Sequence, residues 1–209
     1  MYQLLRRIIF LLPAETAHYF SMNCLKILCA VPLLKKSLRR CFDPKENAPF
    51  SIFNCHFSNR VGLGAGFDKN ARYLRELEIL GFGFVEIGTV TPRPQKGNDK
   101  SRLFRLPKDG ALINRMGFNN DGVEVVAGRL KKWRRKVDRW PMTDDRMEKT
   151  SIGSPSSVIH HPPSLIIGGN IGKNKSTPNE EAWKDYEICF GALHPYVDFF
   201  VVNVSSPNT

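Results

Sequence analysis

The sequence of 209 residues lacks the features that mark several protein classes. Its longest apolar runs, such as residues 8–12, are far shorter than the roughly 20 residues that a membrane-spanning helix needs. It has five cysteines but no Cys-x-x-Cys pair, which favours free thiols in a reducing compartment over a disulfide framework. No internal repeat is visible. The remaining composition, 42% hydrophobic and 24% charged, is that of a globular protein with one core.

Acidic residues are scarce relative to basic ones. The chain has 31 Lys and Arg against 20 Asp and Glu, a net charge of +11. Residues 1–42 contain seven basic residues and a single acidic one, Glu15, and a second basic run covers residues 131–136. Such an excess favours an anionic partner, either a membrane surface or a nucleic acid. A solvated basic face that only aids solubility is the alternative.

Residues 1–42 have the periodicity of two or three short helices. An apolar stripe repeats every three or four residues, and Arg6 and Arg7 lie on another face. Pro13 is placed to begin a second helix, with Glu15 complementing its N-terminal dipole, and Pro32 breaks the pattern. Helices with one apolar and one basic face suit insertion into one leaflet of a membrane. A helical cap packed on its own domain is the alternative.

From residue 58 onward, strand and helix patterns alternate. We predict strands at 61–65, 84–88, 165–169 and 199–204, helices at 71–80, 119–132 and 178–193, and a small hairpin over 103–113. This β-α-β order implies parallel strands joined by right-handed crossovers. Four such units make half of an eight-stranded barrel, although an open doubly wound sheet has the same local pattern.

The alternation of strand and helix patterns stops between residues 132 and 163. This stretch is rich in proline, serine and glycine and poor in large apolar residues, so we predict a flexible surface insertion. His160 and His161 stand within it. Adjacent histidines with no carboxylate or thiolate at ligand spacing do not predict a metal site.

A glycine-rich segment follows the first predicted strand. Gly62, Gly64 and Gly66 permit close approach to the backbone, and Lys69 follows three residues later. The segment is not a Gly-x-Gly-x-x-Gly nucleotide motif, because Lys69 stands where the last glycine is needed. It suits a flat ring lying on the backbone with the cationic Lys69 reaching over it. A glycine-rich turn with a surface lysine is the alternative.

Polar residues also follow the other predicted strands. Thr89 ends the second strand, Asn170 follows the third, and Asn203 follows the fourth, while residues 114–120 form a separate Asn-rich cluster. An asparagine side chain both donates and accepts hydrogen bonds, which suits recognition of an amide-like heterocycle. The carboxyl ends of the strands are where parallel barrels carry their active sites.

Five blocks of sequence carry a specific resemblance: residues 65–70, 86–95, 114–120, 170–174 and 203–209. Over residues 1–130 and 165–209, the chain resembles class 2, quinone-dependent dihydroorotate dehydrogenase. The resemblance implies an α/β fold in which residues 43–209 form about the first half of a (β/α)8 TIM barrel. It also implies that residues 1–42 are a helical domain for membrane association and quinone access.

The resemblance implies a reaction and a set of site residues. The reaction is the oxidation of (S)-dihydroorotate to orotate with FMN and a membrane quinone, in pyrimidine biosynthesis. Ser206 is implied as the general base. The implied FMN contacts are Ala65, Gly66, Lys69, Thr89, Asn170 and Asn203. The implied substrate contacts are Lys69, Asn114, Arg115, Met116, Gly117, Phe118, Asn203 and Asn208.

The resemblance further implies a peripheral protein on the cytoplasmic face of a bacterial inner membrane, or on the mitochondrial inner membrane in a eukaryote. No metal and no nucleic-acid partner are expected. The family continues beyond the position of Thr209 with four more strands and the loops that hold the FMN phosphate, so we expect this chain alone to be inactive. The alternatives are another FMN barrel, such as a dihydrouridine synthase acting on RNA, and a non-catalytic basic fragment that binds membranes or nucleic acid.

Overall fold

The chain begins with three helices. A computed structural model describes residues 2–42, 49–52, 55–138 and 165–204. The helices are α1 (Tyr2–Ile9), α2 (Ala14–Ala30) and α3 (Pro32–Phe42). Pro13 immediately precedes α2 and Pro32 begins α3, because the first helical turn does not need the N–H that proline lacks. The prediction of two or three helices in this region is confirmed.

Strands and helices alternate through the rest of the described chain. The strands are β1 (Phe50–Ile52), β2 (Cys55–Phe57), β3 (Gly62–Leu63), β4 (Phe84–Val90), β5 (Leu103–Leu106), β6 (Ala111–Asn114), β7 (Ile166–Ile171) and β8 (Phe199–Val202). The helices are α4 (Leu74–Ile79), α5 (Val123–Asp138) and α6 (Ala182–Leu193), the last preceded by a 3-10 turn at Asn179–Glu181.

Three parallel pairings join four strands into one sheet in the order β3-β4-β7-β8. This spatial order is also the order along the chain. A doubly wound sheet reverses its strand order at a switch point, whereas a barrel adds each strand beside the previous one. The described strands therefore have barrel topology, and their carboxyl ends meet at one edge of the sheet.

The core lies between this sheet and the helices that cover it. Every residue of β7 is buried, and Val85, Ile87 and Ile167 are fully inaccessible to solvent. They pack with apolar side chains of α4, α5 and α6. Gly168 in β7 has a packing role, because a Cβ there would lie 2.3 Å from the ring of Phe199 on β8. The absent side chain lets the two strands and the aromatic ring share this space.

The N-terminal helices share this core. Met22 of α2 belongs to the same cluster of buried apolar residues as α4. Tyr73 donates a hydrogen bond to the Asn23 side chain at 3.1 Å, and Arg75 donates to the Cys29 carbonyl at 2.9 Å. Within the described ranges, no single helix is long and apolar enough to cross a membrane. Helices α2 and α3 meet that criterion only together, bent by 113°.

Several predicted boundaries were wrong because local hydrogen bonds override periodicity. The strand predicted at 61–65 shortens to β3, since Gly66 has a φ of +101° and turns the chain away. The helix predicted from residue 71 begins at Leu74, because the Asp68 carboxylate accepts the N–H groups of Arg72 and Tyr73 and holds a turn. The other strands and α6 keep their predicted places with shifts of a few residues.

Helix α5 is displaced toward the C-terminus of its predicted range, 119–132. Asn120 accepts the backbone N–H of Gly122, so this stretch remains a loop and the helix begins at Val123. The helix continues through Asp138, so the first residues of the range predicted as an insertion, 132–163, are helical. Residues 139–164 lie outside the described part of the chain. The predicted hairpin over 103–113 is present as β5 and β6, whereas the β1–β2 hairpin was not predicted.

Candidate active site

Polar side chains from three strands are joined at the carboxyl end of the sheet. Asn203, just after β8, donates from Nδ2 to Thr89 Oγ1 on β4 at 3.1 Å. Thr89 Oγ1 donates to Asn170 Oδ1 on β7 at 2.7 Å, and Asn170 Nδ2 donates to Glu86 Oε1 at 2.7 Å. Thr89 and Asn170 are each only 6% exposed. Such a satisfied buried network fixes the orientation of its members.

Lys69 lies beside a second group of polar atoms. Its ammonium donates to the Gly117 carbonyl and to Asn119 Oδ1, both at 2.7 Å. The pKa of Lys69 is lowered to about 8, mainly by burial and in addition by the nearby positive charge of Arg102, while Glu15 opposes the shift. An ammonium has three donors, and the described residues supply acceptors for two of them, which leaves one N–H for a ligand. Lys69 therefore combines a fixed position with a charge that titrates close to neutral pH.

The segment at residues 114–119 is held from both sides. The Asn114 side chain accepts the Met116 N–H at 2.9 Å, which shapes the turn. Gln95 and Asn120 exchange backbone hydrogen bonds, both at 3.0 Å. Met116 is buried, Gly117 and Phe118 are half-buried, and Asn114 and Arg115 are exposed. The segment is thus a braced loop facing Lys69.

A buried threonine braces this loop against the strands. Thr91 Oγ1 accepts Asn120 Nδ2 at 2.9 Å and Asn174 Nδ2 at 3.1 Å, and donates to the Arg93 carbonyl at 2.7 Å. The Asp185 carboxylate of α6 accepts the Asn174 N–H at 2.7 Å. These contacts tie the loops after β4 and β7 to a covering helix. They act on the site by positioning it.

The glycine segment after β3 leaves a stretch of backbone open. A Cβ built on Gly64 or Gly66 meets no atom within 4 Å, and Ala65 and Gly66 are exposed. The Gly66 N–H donates to the Gly88 carbonyl at 2.9 Å, which anchors the segment to β4. Space above the backbone together with amide and hydroxyl side chains at the strand ends fits a flat, polar heterocycle.

The structure brings most of the predicted site residues to this edge of the sheet. The residues that meet there are Ala65, Gly66, Lys69, Thr89, Asn170, Asn203, Gly117 and Phe118. Asn114 ends β6, and Arg115 and Met116 lie in the loop that follows; of the three only Met116 is buried. Ser206 and Asn208 lie outside the described residues. The ligand roles of all of these residues remain predictions.

Sequence reasoning missed the residues that hold the site together. These are Glu15, Glu86, Thr91, Arg102, Asn119, Asn120 and Asn174. Several of them lie inside the five sequence blocks that carry the resemblance, and this was the only signal in the sequence that pointed to them. Their hydrogen-bond partners are distant in sequence, so the contacts themselves could not be predicted. Among the residues that the structure describes, no group of three or more His, Cys, Asp or Glu side chains is placed to hold a metal ion.

Fold and site together define a class: a parallel α/β barrel enzyme with its site at the carboxyl ends of the strands. The sequence profile described as Dihydroorotate dehydrogenase matches residues 48–209. The chain belongs to the dihydroorotate dehydrogenase family, which is flavin-dependent and has the TIM-barrel fold. This confirms the resemblance and the fold class, and it favours this family over the RNA-modifying and non-catalytic alternatives.

Relatives with curated names agree along the whole chain. A protein of Christiangramia forsetii named dihydroorotate dehydrogenase (quinone) is 47% identical over 207 residues, covering 99% of this chain and 52% of the relative. A protein of Coxiella burnetii with the same name is 46% identical over 209 residues, covering 100% of this chain and 51% of the relative. The chain spans about half the length of the curated relatives it matches.

A solved structure shows the same arrangement. The crystal structure of DHODH from Eimeria tenella in complex with ferulenol is 38% identical, with a TM-score of 0.69. The match covers 93% of this chain and 44% of the other.

Proposed function

We propose that this chain takes part in the oxidation of (S)-dihydroorotate to orotate, with FMN as cofactor and a quinone as electron acceptor, in pyrimidine biosynthesis. The observation that carries the proposal is the Lys69 ammonium, which two protein acceptors hold at the strand ends while one donor stays available. The substrate is a carboxylate, and a fixed ammonium in a partly buried site is a strong partner for a carboxylate.

FMN is the cofactor that the residues at the strand ends would hold. Ala65 and Gly66 offer open backbone, and Thr89, Asn170 and Asn203 offer donors and acceptors whose orientation their network fixes. When bound, FMN supplies the acceptor for the hydride that leaves C6 of the substrate. The chain's own contribution is to orient the reactants and to exclude water from the space between them.

The residues proposed for the substrate are Lys69, Asn114, Arg115, Met116, Gly117, Phe118, Asn203 and Asn208. Ser206 is proposed as the base that removes the C5 proton. A serine hydroxyl is a weak base in water, so its use requires a partner that accepts the proton onward and a site that favours the developing charge. Asn203, three residues before Ser206, is tied to Thr89, which supports a fixed starting point for this segment.

Residues 1–42 are proposed as a membrane-associating and quinone-access domain, and residues 43–209 as barrel. The support is the surface of the N-terminal region, where Leu4, Ile8, Leu11 and Leu33 are more than half exposed. Basic residues lie close to them in sequence, in the last turns of α1 and α3. An exposed apolar face bordered by cations favours a membrane interface. The proposed location is the cytoplasmic face of a bacterial inner membrane, or the mitochondrial inner membrane in a eukaryote.

The test is orotate and FMN binding by the purified chain. Isothermal titration calorimetry should detect orotate binding in the presence of FMN, and Lys69→Met should weaken it by at least about tenfold, because a charge-assisted hydrogen bond is lost. Lys184→Met is the matched control, since Lys184 is exposed and forms its ion pair with Glu181 on the same surface.

Orotate binding that is equally strong in Lys69→Met and wild type would contradict the assigned role. A folded chain that binds neither FMN nor orotate would contradict the proposed function itself. Circular dichroism of each variant establishes that the chain is folded.

A further inference from the structure

A buried ion pair joins the start of α2 to the residue that precedes β5. The Glu15 carboxylate receives two hydrogen bonds from the Arg102 guanidinium, from Nη2 at 2.6 Å and from Nε at 3.1 Å. Both side chains are largely buried, with 8% of Arg102 and 17% of Glu15 exposed. Glu15 and Arg102 are 87 positions apart in sequence. This two-pronged geometry differs from the looser Arg39–Glu78 pair at 3.6 Å, which joins α3 to α4.

The same guanidinium also holds a loop. Arg102 Nη1 donates to the Lys96 carbonyl at 2.6 Å and to the Asn98 carbonyl at 2.9 Å. Arg102 therefore reaches two structures at once, the helix through Glu15 and the loop at residues 96–98 through its carbonyls. Without Glu15, the guanidinium would have only these carbonyls as partners.

The loop at residues 96–98 in turn holds the segment that faces Lys69. The Asn98 N–H donates to the Met116 carbonyl at 3.1 Å, and Asn98 Nδ2 donates to the Arg115 carbonyl at 2.8 Å. The Arg115 N–H donates to the Arg102 carbonyl at 2.8 Å. Gly97 permits this closeness, because a Cβ there would lie 2.2 Å from the Met116 carbonyl oxygen. The next carbonyl along, that of Gly117, accepts Lys69.

We propose that Glu15 is a positioning residue for Lys69: by binding Arg102, it fixes the loops that supply the acceptors of the Lys69 ammonium. The N-terminal helices are thereby coupled to the substrate lysine through a continuous chain of hydrogen bonds. This inference rests on the proposed function only for the role of Lys69 in substrate binding. The coupling itself is a property of the folded chain and is tested without turnover.

Two opposite effects of Glu15 on Lys69 make the proposal testable. The charges that act on Lys69 from the described residues are those of Arg102, which lowers its pKa, and Glu15, which raises it. Loss of the Glu15 charge alone therefore lowers the pKa of Lys69 below its value of about 8. Loss of position instead exposes Lys69 to water and raises its pKa toward that of a free lysine, about 10.4.

The experiment compares wild type and Glu15→Ala by hydrogen exchange and by lysine labelling on the full chain. We expect amide exchange in peptides covering residues 95–119 to rise by at least about tenfold, since local opening becomes easier when a buried charged pair is broken. We expect the pH midpoint for acetylation of Lys69 by acetic anhydride to move upward, toward that of the surface lysine Lys184 in the same sample. Peptides from β4 and β7 should exchange as in wild type, which shows that the barrel strands remain folded.

Arg39→Ala is the matched control, because it removes another ion pair between the N-terminal helices and the barrel. Arg39→Ala should leave amide exchange at residues 95–119 unchanged, and it should leave the pH midpoint for acetylation of Lys69 unchanged. The proposal is overturned if Glu15→Ala leaves exchange at residues 95–119 unchanged, if the Lys69 midpoint moves downward, or if Arg39→Ala has the same effect. Absence of orotate binding would instead count against the proposed function and leave these readouts intact.

A second variant covers the case in which Glu15→Ala does not fold. Arg102→Lys keeps the positive charge but loses the planar fork that binds the carboxylate and the two carbonyls together. We expect the same faster exchange at residues 95–119 and the same upward movement of the Lys69 midpoint. Unchanged readouts in this variant overturn the proposal.

Discussion

Strands β4 and β7 and the N-terminal helices are both rich in aliphatic residues, but the two regions differ in how far these side chains are buried. Ile87 and Ile167 in the strands are fully buried, whereas Leu11 after α1 and Leu33 in α3 are 85% and 78% exposed. The strands are covered by α4, α5 and α6, so their burial is provided within this chain. The exposed apolar residues stand beside arginine and lysine instead.

The two regions should therefore respond differently when an apolar side chain is removed. Removing apolar surface from β4 or β7 leaves a cavity and weakens folding, because the packed neighbours close in only partly. Removing it from the exposed helical face changes what the surface can bind and barely affects folding. The free energy of unfolding of single variants therefore separates the two regions, and the expected losses span the range from several kcal/mol to almost none.

The largest loss is expected for Ile167→Ala in β7. Ile167 is fully buried, and its N–H is accepted by the Asp198 carboxylate at 2.7 Å, so the strand cannot easily shift to fill a cavity. Truncation of a buried isoleucine costs about 2–5 kcal/mol. Urea denaturation followed by far-ultraviolet circular dichroism measures it. A loss below about 1 kcal/mol would show that the sheet is less tightly packed than the structure indicates.

A smaller loss is expected for Thr89→Val in β4, which keeps the shape and removes the hydroxyl. Asn170 Oδ1 loses its donor, and an unsatisfied buried group costs about 1–3 kcal/mol. Thr89→Ser is the matched control, because it retains the hydroxyl. Equal stability of the Val and Ser variants in urea denaturation would show that the network does not contribute to folding.

A still smaller effect is expected from Lys69 on the pH dependence of the free energy of unfolding. The pKa of Lys69 is about 8 in the folded chain and higher in the unfolded chain, so between these values the unfolded state binds more protons. Stability contributed by Lys69 is therefore lowest below pH 8 and rises as the pH increases above it. Lys69→Met should lack this rise when urea midpoints are compared from pH 7 to pH 10. A rise of the same size in both proteins would assign it to other groups.

The sequence predicted the parts of this molecule that depend on neighbours along the chain. The apolar runs at β4, β7 and β8 predicted strands, and the residues that follow them predicted the polar edge. The end of α5 was predicted too early, since a run of Lys and Arg with Trp133 continues the helix as readily as it begins a loop. The hairpin of β1 and β2 was missed because strands of three residues have too short a pattern to detect.

Contacts between residues that are distant in sequence could not be predicted from motifs or periodicity. Glu15 was interpreted as a residue that complements the dipole of α2, and the structure shows its carboxylate bound to Arg102. Likewise, Lys69 was expected to reach over a ring, but nothing in its own segment indicated that Gly117 and Asn119 hold it. Such pairs depend on how loops meet in three dimensions, whereas motif and periodicity describe only one segment at a time.

The smallest effect on folding is expected for Leu11→Ser, and this variant gives the sharpest contrast with Ile167→Ala. Leu11 is 85% exposed, so the free energy of unfolding should change by no more than about 0.5 kcal/mol. If α1 and α2 rest on a membrane, the same change should weaken binding to vesicles of anionic phospholipid by about tenfold, because a leucine side chain no longer enters the lipid. Vesicle sedimentation measures this, and Val125→Ser, an exposed position on α5, is the matched control. Vesicle binding that falls equally in both variants would mean that the exposed apolar face of the helices is not the membrane contact.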